Sequence, residues 1–116
     1  MRLLTKGLQK QLPELYSQEN VEDPIVRAHF FNPAGQGDWW ITEGSFVSGE
    51  TAEEAKVYMM FGLCAIFEPE MGYVSMDELQ ATKVHLGFGV MGIERDLHWT
   101  PKPLSQVRAE SERSYQ

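Results

Sequence analysis

The eleven-residue run VYMMFGLCAIF, Val57 to Phe67, is the longest apolar stretch of the chain and the feature that most restricts its folding. It falls well short of the roughly 20 residues a membrane-spanning helix needs. Gly62 in its middle would weaken a helix, whereas the large and β-branched side chains around it suit a strand buried in a sheet. The run is therefore read as a central β-strand. The preceding SGETAEEAK is read as a loop or single turn, although Thr51 to Glu54 has the form of a helical capping box. After the run, Pro69 lacks a backbone donor and fixes its own φ. EPEMG is accordingly read as a hairpin turn, with Gly72 free to take the positive φ of a tight reversal.

The rest of the chain supplies partners for that strand. IVRAHFFNP, Ile25 to Pro33, and WWITEGSFV, Trp39 to Val47, are rich in β-formers and flank the turn-like AGQGD, so they predict a hairpin whose second strand breaks at Gly44. YVS returns as a short strand, and Ser75 with Glu78 forms a capping box that opens the helix MDELQATKV. Asp77 and Glu78 then sit in its first turn, where the helix dipole favours them. Near the N-terminus, Thr5 predicts an N-cap, Leu8 and Leu12 share one helical face, and Pro13 closes the turn. HLGFGVMG is a connection. Ile93 to Trp99, if extended, puts Glu94, Asp96 and His98 on one face, and Pro101 and Pro103 end any sheet pairing. The expected fold is α+β: a meander-like antiparallel sheet of about four strands, a short N-terminal helix and a helix after the third hairpin. Residues 1–105 form one domain, and 106–116 a polar, frayed C-terminal tail.

Charge narrows the function. Residues 14–100 hold fifteen acids against four Lys or Arg, so the middle of the chain carries most of the negative charge in a net of −7. Such a surface is repelled by phosphate backbones, which disfavours nucleic-acid binding through a basic footprint, and it attracts basic proteins. A single cysteine, Cys64, excludes an intrachain disulfide and a cysteine zinc cluster, and its apolar neighbours describe an inert thiol. No secretory signal pattern opens the chain, so a cytoplasmic location is expected.

Glu94, Asp96 and His98 are the nearest approach to a metal or acid–base cluster, and they motivate the alternative of a small metal-dependent hydrolase. The same residues are equally a surface strand with ordinary ion pairs. Glu68 and Glu70 flank Pro69 and would need a pocket to serve as catalytic acids. His29 reads as a satisfied core or edge histidine, and His85 stands alone. The string GFGVMG, Gly87 to Gly92, matches G-x-G-x-x-G but lies between a helix and a strand, the reverse of the dinucleotide context. Trp39 and Trp40 point to opposite faces of their strand, so one is expected in the core and the other exposed or under a loop. An exposed Trp40 with Glu53, Glu54, Glu68 and Glu70 makes the expected binding surface. No cofactor is called for.

Five segments in order carry a family resemblance: LLTKGLQKQLPELYSQE, DPIVRAHFFNP, WWITEG, FGLCAIFEPEMGYVSMDEL and GIERDLHWTPKPLS. Together they resemble the family called domain of unknown function 2958 over nearly the whole chain. EPE-x-GY and ERDLH resemble family signatures, while FVSGETAEEAK and the tail after Ser105 are the variable parts. The resemblance implies a bacterial accessory protein of plasmids, phages and integrated elements, and brings no catalytic residues with it. The leading expectation is a non-enzymatic module that binds another protein, such as a basic nucleic-acid-handling host factor of defence. A third reading is a subunit that hides exposed aromatic residues by self-association.

Overall fold

The computed structural model describes residues 1–48, 57–86 and 89–114. The predicted capping box at Thr51 to Glu54, with the binding candidates Glu53 and Glu54, lies outside the described residues, as does the side chain of His85. In chain order the elements are α1 (Lys6–Gln11), β1 (Ile25–Val26), β2 (Ala28–Phe31), β3 (Asp38–Val47), β4 (Val57–Ala65), β5 (Pro69–Ser75), α2 (Met76–Ala81), β6 (Lys83–Leu86), β7 (Gly89–Gly92), β8 (Glu94–Arg95), β9 (Lys102–Pro103) and α3 (Leu104–Ser114). The α+β class is as expected.

The main sheet is antiparallel with strand order β5-β4-β3-β2-β8, and two short ribbons, β1-β9 and β6-β7, stand beside it. Among the described residues it thus has five strands where about four were expected, because Glu94–Arg95 closes one edge against Phe31 and Phe30. The apolar run does form an inner strand, β4, flanked by β3 and β5.

Several local readings shift by a few residues. The reversal after β4 falls at 66–68, and Pro69 opens β5, where an edge strand tolerates a missing donor. Gly72 stays inside β5 opposite Gly62; among the described residues positive φ occurs at Tyr16 and Gly37. The helix after Ser75 stops at Ala81, and Lys83 begins the β6-β7 ribbon rather than a plain connection. Pro103 pairs with Ile25 instead of ending all pairing. β3 is not broken at Gly44; its irregularity is a bulge between Ile41 and Glu43. Gly44 answers a packing need instead, since a Cβ there would lie 3.0 Å from Met60 Cγ and 3.2 Å from Leu12 Cδ1.

Both faces of the sheet are covered in part. One buries Leu3, Leu8, Phe30, Trp39, Ile41, Met60, Met76 and Leu79 under α1 and α2. Each fully buried large side chain there contributes about 1.5–3 kcal/mol. The helices are fixed as their sequences predict: Thr5 Oγ1 accepts from the Leu8 amide at 3.1 Å, and Ser75 Oγ from the Glu78 amide at 3.0 Å. The other face buries Val26, Trp40, Leu63, Ala65 and Val107.

Val107 belongs to α3, so the segment expected to fray is a helix docked on the sheet. Leu104, Val107 and Ser111 recur at helical spacing, with Val107 and Ser111 almost fully buried. A carboxylate far away in sequence starts the helix. Asp23 accepts from the Ser105 amide at 2.9 Å and from the Ser105 hydroxyl at 2.7 Å, bonds that lower its pKa. Lys102 pairs with Glu110 at 2.7 Å one turn further on.

Candidate functional site

The bulge in β3 sets two regions side by side on the α3 face of the sheet. Before it, alternation places Asp38 and Trp40 on that face; after it, Glu43 stands opposite Phe61. Phe61 in turn stands opposite Tyr73 of β5, and their rings meet at 4.7 Å.

The first region is closed. His29 lies opposite Trp40 and stacks on its ring at 5.3 Å with 6° between planes, while Trp99 tilts against it at 5.3 Å. Its Nε2 is 2.7 Å from Asp38 Oδ1 and its Nδ1 3.1 Å from Asp96 Oδ2. Asp96 also accepts the His98 amide at 3.0 Å. Burial raises the Asp96 pKa, but these hydrogen bonds and the facing imidazole charges outweigh it and the net shift is downward. His29 is therefore a satisfied histidine, as its sequence context suggests.

Of the predicted trio Glu94, Asp96 and His98, the structure brings Asp96 to His29, takes His98 into a turn, and leaves Glu94 opposite Phe31. Among the described residues no group of three or more His, Cys, Asp or Glu is arranged to hold a metal.

Trp40 is a correction. It is covered by His29 and the α3 cluster and keeps only 9% of its surface, much as Trp39 keeps 8% on the opposite face. The two tryptophans do point to opposite faces, but both are core, because α3 roofs the face that the sequence reading left open.

The second region is open. Glu43 is a buried carboxylate in a cleft of about 330 Å³ bounded by Glu19, Glu22, Thr42, Phe61 and Tyr73. It accepts a hydrogen bond from the backbone amide of Tyr16, a non-glycine residue held at φ 73°. Burial raises the Glu43 pKa, the Tyr16 amide opposes this, and the neighbouring Glu19 adds to it. A buried acid, a left-handed tyrosine and a β-bulge converge here, a combination that concentrates at functional sites. Sequence reasoning did not foresee the burial of Glu43. The one usable signal was an acid set directly between Thr42 and Gly44 in the middle of a strand.

Around the free edge of the sheet the surface turns apolar. Phe67 is 83% exposed, Tyr73 55%, Tyr16 55% and Ile66 48%. A hollow of about 430 Å³ at the β4–β5 reversal gathers Ile66, Phe67, Glu68, Glu70 and Tyr73. The structure thus brings Glu68 and Glu70 together with large apolar residues. Glu70 stands opposite Cys64, which in turn stands opposite Trp39, so it leaves β5 on the other face from Tyr73. Cys64 itself is partly buried, and desolvation pushes its thiol up to about 11, in keeping with an inert cysteine.

The described residues contain no helix long and apolar enough to cross a membrane. A model of one protein family, described as Protein of unknown function (DUF2958), matches residues 3–114. Neither a curated protein nor a solved structure matches the chain.

Proposed function

As this chain belongs to the DUF2958 family, we propose, from its surface chemistry, that it works by binding a basic segment of another protein along the free edge of its sheet, beside β5. The observation that carries this reading is the gathering of Phe67, Tyr73, Tyr16 and Ile66, all large, apolar and exposed, among the carboxylates Glu19, Glu68 and Glu70. Exposed aromatic residues supply the anchor of an interface, and a rim of one charge selects a partner of the other. Among the described residues β5 pairs with β4 alone, so its outer edge offers backbone groups for an added strand. Glu43, at the floor of the adjoining cleft, is placed to receive a lysine or arginine from such a segment.

The proposed setting is that of a cytoplasmic accessory protein of a bacterial mobile element acting on a nucleic-acid-handling host factor. The family resemblance and the net charge of −7 support that setting. Hydrolysis through Glu94, Asp96 and His98 has less support, since both oxygens of Asp96 are engaged by His29 and the His98 amide.

The test is affinity capture from the native host with the natural protein and a Phe67→Ala/Tyr73→Ala variant, followed by titration of the purified partner at several salt concentrations. Capture by the natural protein alone, with Glu68→Gln/Glu70→Gln flattening the salt dependence, is the expected result. Equal capture by both proteins, or a salt dependence unchanged by the charge variant, overturns the reading.

A further inference from the structure

Although the chain carries an excess of acids, one cleft of about 300 Å³ is lined by three cations, Lys10, Arg27 and Arg95, which reach it from α1, the β1–β2 junction and β8. None of the three has an ion pair among the described residues. Their gathering in one cleft is notable because acids outnumber Lys and Arg by seventeen to ten in the chain. Arg95 is held in place by Thr5 Oγ1 at 3.1 Å and Gln11 Oε1 at 3.4 Å, which use two of its five N–H groups. Arg27 sits between two strand residues, and its backbone amide is fixed on the Ile41 carbonyl at 2.8 Å.

The fourth charged wall residue is Asp96, a carboxylate that would oppose an anion. Its oxygens already accept from His29 and the His98 amide, so its acceptor capacity is turned toward the protein. Three positive charges against one negative leave a local surplus of two, the charge of a phosphomonoester dianion. Two guanidinium forks suit the oxygens of such a group better than ammonium charges would. The remaining wall is Gln11 with Ala28, Leu97, Trp99 and Pro101, the last four an apolar and aromatic surface. Leu97 is 69% exposed, and Trp99 is fixed by its indole N–H donating to the Val26 carbonyl at 2.9 Å.

We propose that this cleft binds a small phosphomonoester, its phosphate held by Arg27, Arg95 and Lys10 and its organic part laid against Trp99 and Leu97. The site is separate from the β5 edge and shares no lining residue with the cavities there.

The experiment is an amide and indole NMR titration with three probes: adenosine 5′-monophosphate, adenosine and inorganic phosphate. The monophosphate is expected to give saturable shifts at residues 10, 27, 95–97 and the Trp99 indole. Inorganic phosphate should move the same amides with weaker affinity, and adenosine should move none. Arg27→Ala should weaken monophosphate binding about tenfold or more, with Arg27→Lys recovering part of the loss. Arg27→Ala leaves its backbone bond intact, and a dispersed spectrum verifies that the variant is folded. Absence of saturable shifts, equal response to adenosine, or unchanged affinity in Arg27→Ala overturns the proposal. Equal affinity for inorganic phosphate and the monophosphate overturns the role given to Trp99 and Leu97.

Discussion

The two halves of the α3 face of this sheet are built from the same strands yet end in opposite states. Around His29 and Trp40 the face is sealed: aromatic rings stack, both imidazole nitrogens face carboxylates, and Val107 closes the roof. Past the bulge, Phe61, Tyr73 and Glu43 line a cleft, and the neighbouring edge leaves Phe67 and Tyr73 in solvent. What separates them is the reach of α3, whose Leu104 forms the border of the cleft. A sheet face becomes core where a helix covers it and a candidate binding surface where the cover stops. The contrast extends to the acids. Asp96 in the sealed half has a lowered pKa because hydrogen bonds outweigh its burial, whereas Glu43 in the open half has a raised one because burial outweighs its single amide partner.

The largest test strikes the seam between the halves. Gly62 lies opposite Ile41, immediately before the bulge, and a Cβ there would run into the carbonyl oxygen of Trp40 and approach the Ile41 Cα to 2.9 Å. Because the obstacle is backbone, Gly62→Ala should cost about 4 kcal/mol or prevent folding, as urea unfolding would reveal. A mild effect would mean that β3 and β4 can separate at the seam, and the two halves would then be less rigidly joined than described.

Next in size is a direct comparison of the halves by truncation. Trp40→Ala removes a buried ring and should cost about 3–5 kcal/mol, while Tyr73→Ala should cost about 1 kcal/mol or less. Denaturant midpoints at constant m-value measure both. Similar losses would show that the open half is packed as tightly as the sealed one, and the proposed binding edge would lose its basis.

The smallest effects are in pH dependence, where the two acids should act with opposite sign. Glu43 has a folded pKa raised above its ordinary value of 4.5, so between 4.5 and that raised value the folded chain binds more protons than the unfolded one. Its contribution is favourable below 4.5 and is lost as pH rises through the folded pKa. Glu43→Gln, which keeps an acceptor for the Tyr16 amide, should therefore gain stability relative to the natural protein as pH rises through that window. Asp96, lowered from 3.8, contributes stability that is full above 3.8 and is lost as pH falls through its folded pKa. Asp96→Asn should consequently show its deficit at neutral pH and lose it in acid. Thermal unfolding from acid to neutral pH reads both slopes, and slopes of the same sign for the two variants would contradict the electrostatic contrast.

Much of the framework was legible because it rests on local chemistry. Thr5 and Ser75 cap their helices through hydroxyls of their own, and the apolar run at Val57 has no stable place except inside a sheet. α3 was misread since its signals are divided: Leu104 and Val107 give a thin apolar stripe, and the capping carboxylate, Asp23, is 82 residues before Ser105. The same misreading made Trp40 look exposed. The burial of Glu43 was missed for a related reason, because it depends on the Tyr16 segment folding over a bulge that no sequence period announces.

By itself the sequence determined the α+β class, the two capped helices, an inner strand from Val57, and an overall acidic charge, all properties that depend on neighbours along the chain. Only the tertiary structure decided which sheet face is roofed, which acid is buried, and that Lys10, Arg27 and Arg95 share one cleft. The physical reason is that burial and electrostatic interaction depend on distance in space, and residues far apart along a chain acquire that distance only when the sheet and its covering helices assemble.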